Sequence, residues 1–278
     1  SAFWTLYFEE YYDFYPIIKS FLYTIIFGSC LFSKKYIFKN KYKKDLTSND
    51  AFSIVTIGWL LSAIFSSLPY YLADYNLSFI DSFFESMSGL TTTGATILGS
   101  NTIFIEDLSH GLLFWRSFTQ FLGGMGIIVF TIALLPLLGI GGVQLFKAEV
   151  AGPTADKITP RVKQTAKLLW GIYVGFVMIL SIILYAEGMT FFDSLCHSFT
   201  TIATSGFSTH TESIGYFNSS IIEWTIIIFM LIAATNFTLH YISISKKKIE
   251  YFKDEEFKVY FISFIILSIL IFININYH

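Results

Sequence analysis

The residues best suited to chemistry are small and uncharged. Thr92, Thr93, Gly94 and Ala95 lie in the stretch Gly89-Leu90-Thr91-Thr92-Thr93-Gly94-Ala95-Thr96, set between long apolar segments. Threonine hydroxyls and main-chain carbonyls offer oxygen without charge, the ligand type that hard monovalent cations prefer. Gly94 lets the chain turn its carbonyls inward, because glycine reaches φ > 0 at no steric cost. A cluster of weak oxygens replaces an ion's hydration shell yet releases the ion again, which conduction requires. Irregular backbone at membrane depth persists only where it is buried in protein or lines a water-filled path.

The same pattern recurs. Asp81 aligns with Asp193, Ser82 with Ser194, Ser86 with Ser198, Thr92 with Thr204 and Gly94 with Gly206, each pair 112 residues apart. The second copy adds Thr204, Ser205, Gly206 and Phe207 to the candidate ion site. Internal repeats in membrane proteins usually surround a shared axis or midplane site. One copy of Thr-Thr-Gly is ordinary turn chemistry; two aligned copies between spans point to a filter. Two loops do not close a fourfold ring, so such a pore needs two more, from further chain or from a second polypeptide.

The elements that must position these loops follow from hydropathy. Phe79–Ser86 reads as a short helix ahead of the first loop, and the equivalent segment after Phe192 leads into the second. Spans are expected from Pro16 to Phe32, Ala51 to Leu72, Ser109 to Leu138, Leu168 to Tyr185 and Ile221 to Ile244, with an apolar run from Val259 to Ile275. Each is about the length that crosses roughly 30 Å of hydrocarbon. The expected order is a leading helix and basic loop over 1–45, a first repeat over 46–143, a second over 144–250, and the opening helix of an incomplete third over 251–278. The short helices would direct their partly negative C-terminal ends at the loops.

Composition agrees. The 278 residues are 54% hydrophobic and 19% aromatic, only 14% are charged, and mean hydropathy is +0.61, outside the range of soluble domains. Of 18 Lys and Arg, 6 fall in 34–44, 5 in 147–167 and 5 in 246–258, leaving only Lys19 and Arg116, and 45–115 and 168–245 contain none. These basic clusters should be cytoplasmic, so both loops open outward. The outer side carries Asp74, Glu106, Asp107, Glu187 and Glu212, a field that concentrates cations at a pore mouth. The balance of −2 gives no sign of nucleic-acid binding. The chain opens on Ser1 without a cleavable signal pattern, as expected either of a chain whose start has been removed or of an internal piece of a longer one.

Several other residues carry expectations. Gly123-Gly124-Met125-Gly126 reads as close helix packing in preference to a hinge. Arg116 and Glu223 lie at the outer ends of spans, where snorkelling accounts for them. Asn236 either faces the pore or bonds a neighbouring helix. Cys30 and Cys196 read as free thiols, and the five histidines show no metal-ligand spacing. No phosphate-binding loop, nucleophile elbow or paired carboxylates occur, so an enzyme is not suggested.

Phe83-Phe84-Glu85-Ser86-Met87-Ser88-Gly89-Leu90-Thr91-Thr92-Thr93-Gly94-Ala95-Thr96 closely resembles the first pore loop of the TrkH family, within the Trk/Ktr/HKT superfamily. Gly123-Gly124-Met125-Gly126-Ile127-Ile128-Val129, Leu135-Pro136-Leu137-Leu138-Gly139, His197-Ser198-Phe199 and Gly206-Phe207-Ser208-Thr209-His210 extend the resemblance, as does Ser213-Ile214-Gly215-Tyr216-Phe217. It implies an all-α membrane protein of helix–pore-helix–filter-loop–helix units, of the voltage-gated-like ion channel type. The implied function is K+ uptake or symport across a bacterial inner membrane, by a homodimer of the full-length protein gated by a TrkA-like cytoplasmic nucleotide-binding subunit. A Ktr-like, sodium-stimulated K+ channel subunit is an alternative, less favoured by the leading span and Gly141-Gly142-Val143-Gln144-Leu145. A non-conducting membrane scaffold is another. The resemblance covers two of the family's four repeats.

Overall fold

The computed structural model describes residues 1–37, 48–99, 103–134, 158–246 and 251–277. The described residues form ten α-helices and no strand. They are α1 (Ala2–Tyr7), α2 (Tyr11–Ile37), α3 (Ser48–Leu72), α4 (Phe79–Leu90), α5 (His110–Leu134), α6 (Ile158–Ala186), α7 (Phe191–Ile202), α8 (Ser220–Ala233), α9 (Phe237–Lys246) and α10 (Glu255–Tyr277). Lys39, Lys41, Lys43, Lys44, Lys147, Lys157, Lys247 and Lys248 lie outside the described residues, as do the motifs 135–139 and 141–145.

Phe52–Leu72, Ala166–Ala186 and Glu255–Ile275 are each long and apolar enough to cross a membrane, and α8 with α9 supplies a fourth as a bent pair. The helices α2 and α5, of 27 and 25 residues, are comparably long. The most apolar window of α10 is wholly unburied. A helix that is apolar on every face and unpacked matches hydrocarbon surroundings, not water. In lipid such helices form because every backbone group is satisfied within the segment.

The fifth expected span is not one helix. Helices α8 and α9 meet at 89° across Ala234–Asn236. The bend frees carbonyls that side chains then satisfy: Thr235 donates to Leu231 O at 3.0 Å, and His240 Nε2 bonds Ile232 O at 2.9 Å. Asn236 takes the second of its expected roles, a bond to a neighbouring helix, and in addition its Oδ1 accepts from Thr238 N at 3.0 Å and caps α9. The interhelix bond runs from its amide to Glu256 Oε2, at 3.4 Å.

The result is an all-α membrane fold in which one unit occurs twice, as α3–α4–loop–α5 and α6–α7–loop–α8/α9. Helix α4 packs between α3 and α5, and α7 packs against α5, α6 and α8. One core joins Phe121, Tyr173, Phe199, Ile226 and Phe229 around α7, and a second joins Trp4, Tyr70, Leu112, Phe192 and Cys196. Both short helices are therefore held by long helices on more than one side.

Candidate ion-filter site

Each loop is set by the two ends of the short helix before it. Ser78 caps α4, accepting from Asp81 N at 3.1 Å while its hydroxyl donates to Asp81 Oδ2 at 2.6 Å. Thr190 repeats this on α7, accepting from Asp193 N at 3.0 Å and donating to Asp193 Oδ2 at 2.6 Å. The aligned aspartates thus belong to N-terminal caps, where a carboxylate also meets the positive end of the helix dipole.

The C-terminal ends match bond for bond. Thr93 N donates to Ser88 O and Thr92 N to Gly89 O; Ser205 N donates to Thr200 O and Thr204 N to Thr201 O. This is a Schellman closure, which places its turning residue in the left-handed region, usually as glycine. Here that residue is Thr92 at φ 54° and Thr204 at φ 53°, with Gly94 at φ 75° and Gly206 at φ 113° two residues on. A β-branched residue with positive φ is a true outlier costing about 1–3 kcal/mol, retained where the surroundings over-determine it. Strain repeated at aligned positions marks both loops as places where backbone direction matters more than local ease.

The two loops meet. A Cβ at Gly94 would overlap the Ser205 carbonyl oxygen, whereas one at Gly206 would find nothing within 4 Å. Thr92, Gly94 and Ser205 are partly exposed, and Thr93, Ala95, Thr204 and Gly206 fully so. The Thr93 hydroxyl pairs with that of Thr91 at 2.8 Å. Ala95 and Phe207 end the loops: the Ser88 hydroxyl donates to Ala95 O, and Phe207 N donates to Gln120 Oε1 at 3.3 Å. The Phe207 ring is buried. The structure thus brings Gly94 against Ser205, while Phe207 offers backbone only.

The glycines of α5 are where this span meets both short helices. A Cβ at Gly123 would overlap Leu90 O at the end of α4, and one at Gly124 would stand 2.8 Å from Tyr173 Oη and 3.1 Å from Ala203. These are the close approaches expected from the sequence. Any larger residue would push α5 off the bases of the loops.

A layer of polar side chains that sequence reasoning did not anticipate, buried at Glu85, Arg116, His197 and Ser208 and exposed at Thr96, stands behind the loops. In the first repeat Thr96 donates to both Glu85 oxygens, at 2.8 and 2.9 Å, and Leu98 N donates to Thr96 Oγ1 at 3.0 Å. In the second, His197 Nε2 bonds Ser208 Oγ at 3.1 Å and His210 N donates to Ser208 Oγ at 3.0 Å. Glu85 and His197 are 112 residues apart, as are Thr96 and Ser208.

Arg116 is not a snorkelling residue. It is 1% exposed, its Nε donates to Glu85 Oε1 at 2.7 Å, and its Nη1 donates to Ser208 O at 2.7 Å. Its guanidinium also lies 3.8 Å from the centre of the Phe207 ring. Glu223 remains exposed in the first turn of α8.

Beyond the second loop Thr211 donates to Glu106 through both its N and its hydroxyl, and Thr209 donates to Asp193 Oδ1 at 2.6 Å. His210 stacks on Tyr216 with ring centres 3.6 Å apart and lies 3.4 Å from Asp193 Oδ1. Burial pushes the Asp193 carboxyl up, but His210, Thr190 and Thr209 outweigh it and hold it below the carboxylate range. Glu106 is also lowered: burial works against ionisation, and the Thr211 bonds and His210 more than offset it. Loop contacts therefore favour the charged form of Glu106, one of the five acids expected on the outer side, and of the cap residue Asp193.

The family profile described as TrkH, cation transport protein, matches residues 16–277. The Trk system potassium uptake protein TrkH of Vibrio parahaemolyticus serotype O3:K6 is 42% identical over 264 residues, which is 93% of this chain and 52% of that protein. TrkH of Escherichia coli K12 is 45% identical over 223 residues, covering 79% of this chain and 45% of the relative. TrkG of Escherichia coli K12 is 41% identical over 233 residues, covering 83% and 47%. The crystal structure of the potassium transporter TrkH from Vibrio parahaemolyticus matches with a TM-score of 0.76 at 39% identity, over 94% of this chain and 51% of that one. The chain spans about half the length of these relatives.

Proposed function

Because the chain belongs to the TrkH family of cation transport proteins, we propose that it forms two of the filter-bearing repeats of a K+ uptake pore. The relatives' names assign them to potassium uptake, and the chemistry of the loops suits that ion. The transported K+ would shed water onto carbonyls of Thr92, Thr93 and Gly94 in one loop and of Thr204, Ser205 and Gly206 in the other. Ala95 and Phe207 close the two loops, tied back by Ser88 and Gln120. The C-terminal ends of α4 and α7, just before the loops, add a partial negative charge of about half an electron each at most. Neutral ligands hold the ion weakly enough to pass it on.

The carrying observation is the paired strain: positive φ at Thr92 and Gly94 and again at Thr204 and Gly206, with Gly94 against the Ser205 carbonyl. Residues 1–45 then serve as a leading helix and basic loop, 46–143 and 144–250 as pore repeats, and 251–278 as the opening of a third. Full-length protein would sit in a bacterial inner membrane as a homodimer, with a TrkA-like nucleotide-binding subunit below, and act as a transporter without enzymatic chemistry.

The test is Rb+ uptake in cells lacking their own K+ uptake, with Na+ as competitor. Cells carrying the full-length natural protein should take up Rb+, and Gly94→Ser should erase its preference over Na+. Unchanged preference in that variant would refute the assignment.

A further inference from the structure

We infer that Glu85 and Arg116 are positioning residues of the filter, a buried strut in which one repeat holds the loop of the other. The inference rests on the filter reading above. The pairs His110–Glu10, His210–Glu106 and His210–Asp193 each include a histidine, whereas this one joins a guanidinium to a carboxylate, with side chains 2% and 0% exposed. Such burial is not explained by stability, since an apolar pair of the same shape would serve as well or better; specificity is the usual return.

The connections say what is being specified. Glu85 is fully used by the first loop and by Arg116, accepting from Thr96 Oγ1, Ile97 N and Arg116 Nε. Arg116 belongs to α5 of the first repeat, yet its Nη1 grips the carbonyl of Ser208, two residues beyond Gly206, and its plane covers the Phe207 ring. A planar guanidinium can donate in two directions while stacking on a ring; an ammonium cannot. The bridge therefore runs from Thr96 through Glu85 and Arg116 to Ser208, fixing one loop relative to the other.

Among the described residues, no buried ion pair of the second repeat reaches the first loop in return. His197 stands where Glu85 does, but its ring bonds Asp193 O and Ser208 Oγ, both within its own repeat. Glu85 also has an electrostatic role. An unpaired guanidinium behind Phe207 would repel an approaching cation, and the carboxylate at 2.7 Å offsets it.

Positioning and charge separate in a set of variants of the full-length protein, read as Rb+ uptake and Na+ competition per folded transporter. Glu85→Gln keeps shape and leaves the guanidinium unbalanced, so KM for Rb+ should rise about tenfold. Arg116→Lys keeps charge and loses the fork, so Na+ discrimination should fall about tenfold with KM nearly unchanged. The double variant Glu85→Gln with Arg116→Gln should recover KM but not discrimination. Should Glu85→Gln accumulate poorly, Thr96→Val, which removes one donor to the carboxylate, should reduce discrimination by a smaller factor. Variants that lower only the amount of folded protein, with KM and discrimination as in the parent, would overturn the strut. Parent protein that takes up no Rb+, or a Gly94→Ser variant with unaltered preference, would overturn it together with the filter reading, whereas strut variants that match the parent while Gly94→Ser loses its preference would overturn the strut alone.

Discussion

The two loops leave their helices through one backbone geometry but lean on different side chains. Caps at Ser78 and Thr190, Schellman closures at Thr92 and Thr204, and turns on Thr96 and Ser208 are shared. Behind them the first repeat sets a carboxylate and a guanidinium, the second a histidine. The comparison separates what each loop must do for itself from what the pair requires once. Carbonyl direction is produced locally, twice, by helix-end chemistry. Registration of one loop on the other comes from contacts between repeats, of which the Glu85–Arg116 arm to Ser208 O is the buried charged one, beside Gln120 on Phe207 N and Thr211 on Glu106.

That division can be attacked at its strongest point first. Glu85→Ala leaves a buried guanidinium without its partner and should cost about 3–5 kcal/mol in unfolding stability of the detergent-solubilised protein. His197→Ala removes hydrogen bonds within one repeat and should cost about 1–3 kcal/mol. Equal losses would erase the distinction between cross-tie and local support.

A smaller difference should separate the glycines. Alanine at either position must adopt positive φ, costing about 1–2 kcal/mol, but only at Gly94 does the new methyl also overlap the Ser205 carbonyl. Thermal unfolding should therefore rank Gly94→Ala below Gly206→Ala. The reverse order would mean that the loops do not abut as described.

The shared features should respond alike. Ser78→Ala and Thr190→Ala each remove a cap worth about 1 kcal/mol. The repeats should then diverge with acid, because Asp193 and not Asp81 also receives Thr209. A carboxyl whose folded pKa is depressed contributes stability that is complete above the ordinary carboxylate value of about 3.9 and is lost as pH falls below it. Asp193→Asn should accordingly destabilise at neutral pH and matter progressively less below about pH 4. A penalty independent of pH would remove the charge from the explanation.

Much of this plan was legible in the residues. The 112-residue offset, the small residues at 92–95 and 204–206, and the glycines of α5 all declare themselves through type and spacing. Arg116 did not. Its ionic partner is 31 residues away and its carbonyl partner 92, so nothing local distinguishes a buried guanidinium from one reaching for water. The signal available was the offset itself: Glu85 and His197 fall on aligned positions, as do Thr96 and Ser208, and a polar pair repeated across a loop suggests a bond. The bend at Ala234–Asn236 was hidden by unbroken hydropathy, with Thr235-Asn236 as its only polar mark. The caps explain why Asp81 and Asp193 align, which filter chemistry alone does not.

The most direct test of the central claim is to locate a heavy K+ substitute, by anomalous diffraction from crystals of the full-length protein soaked in Rb+ or Tl+. Peaks bounded by the carbonyls of Thr92, Thr93, Thr204 and Ser205, and lost when Na+ replaces the soak, are the predicted result. Ordered Rb+ or Tl+ bound elsewhere, with none between these loops, would contradict the account.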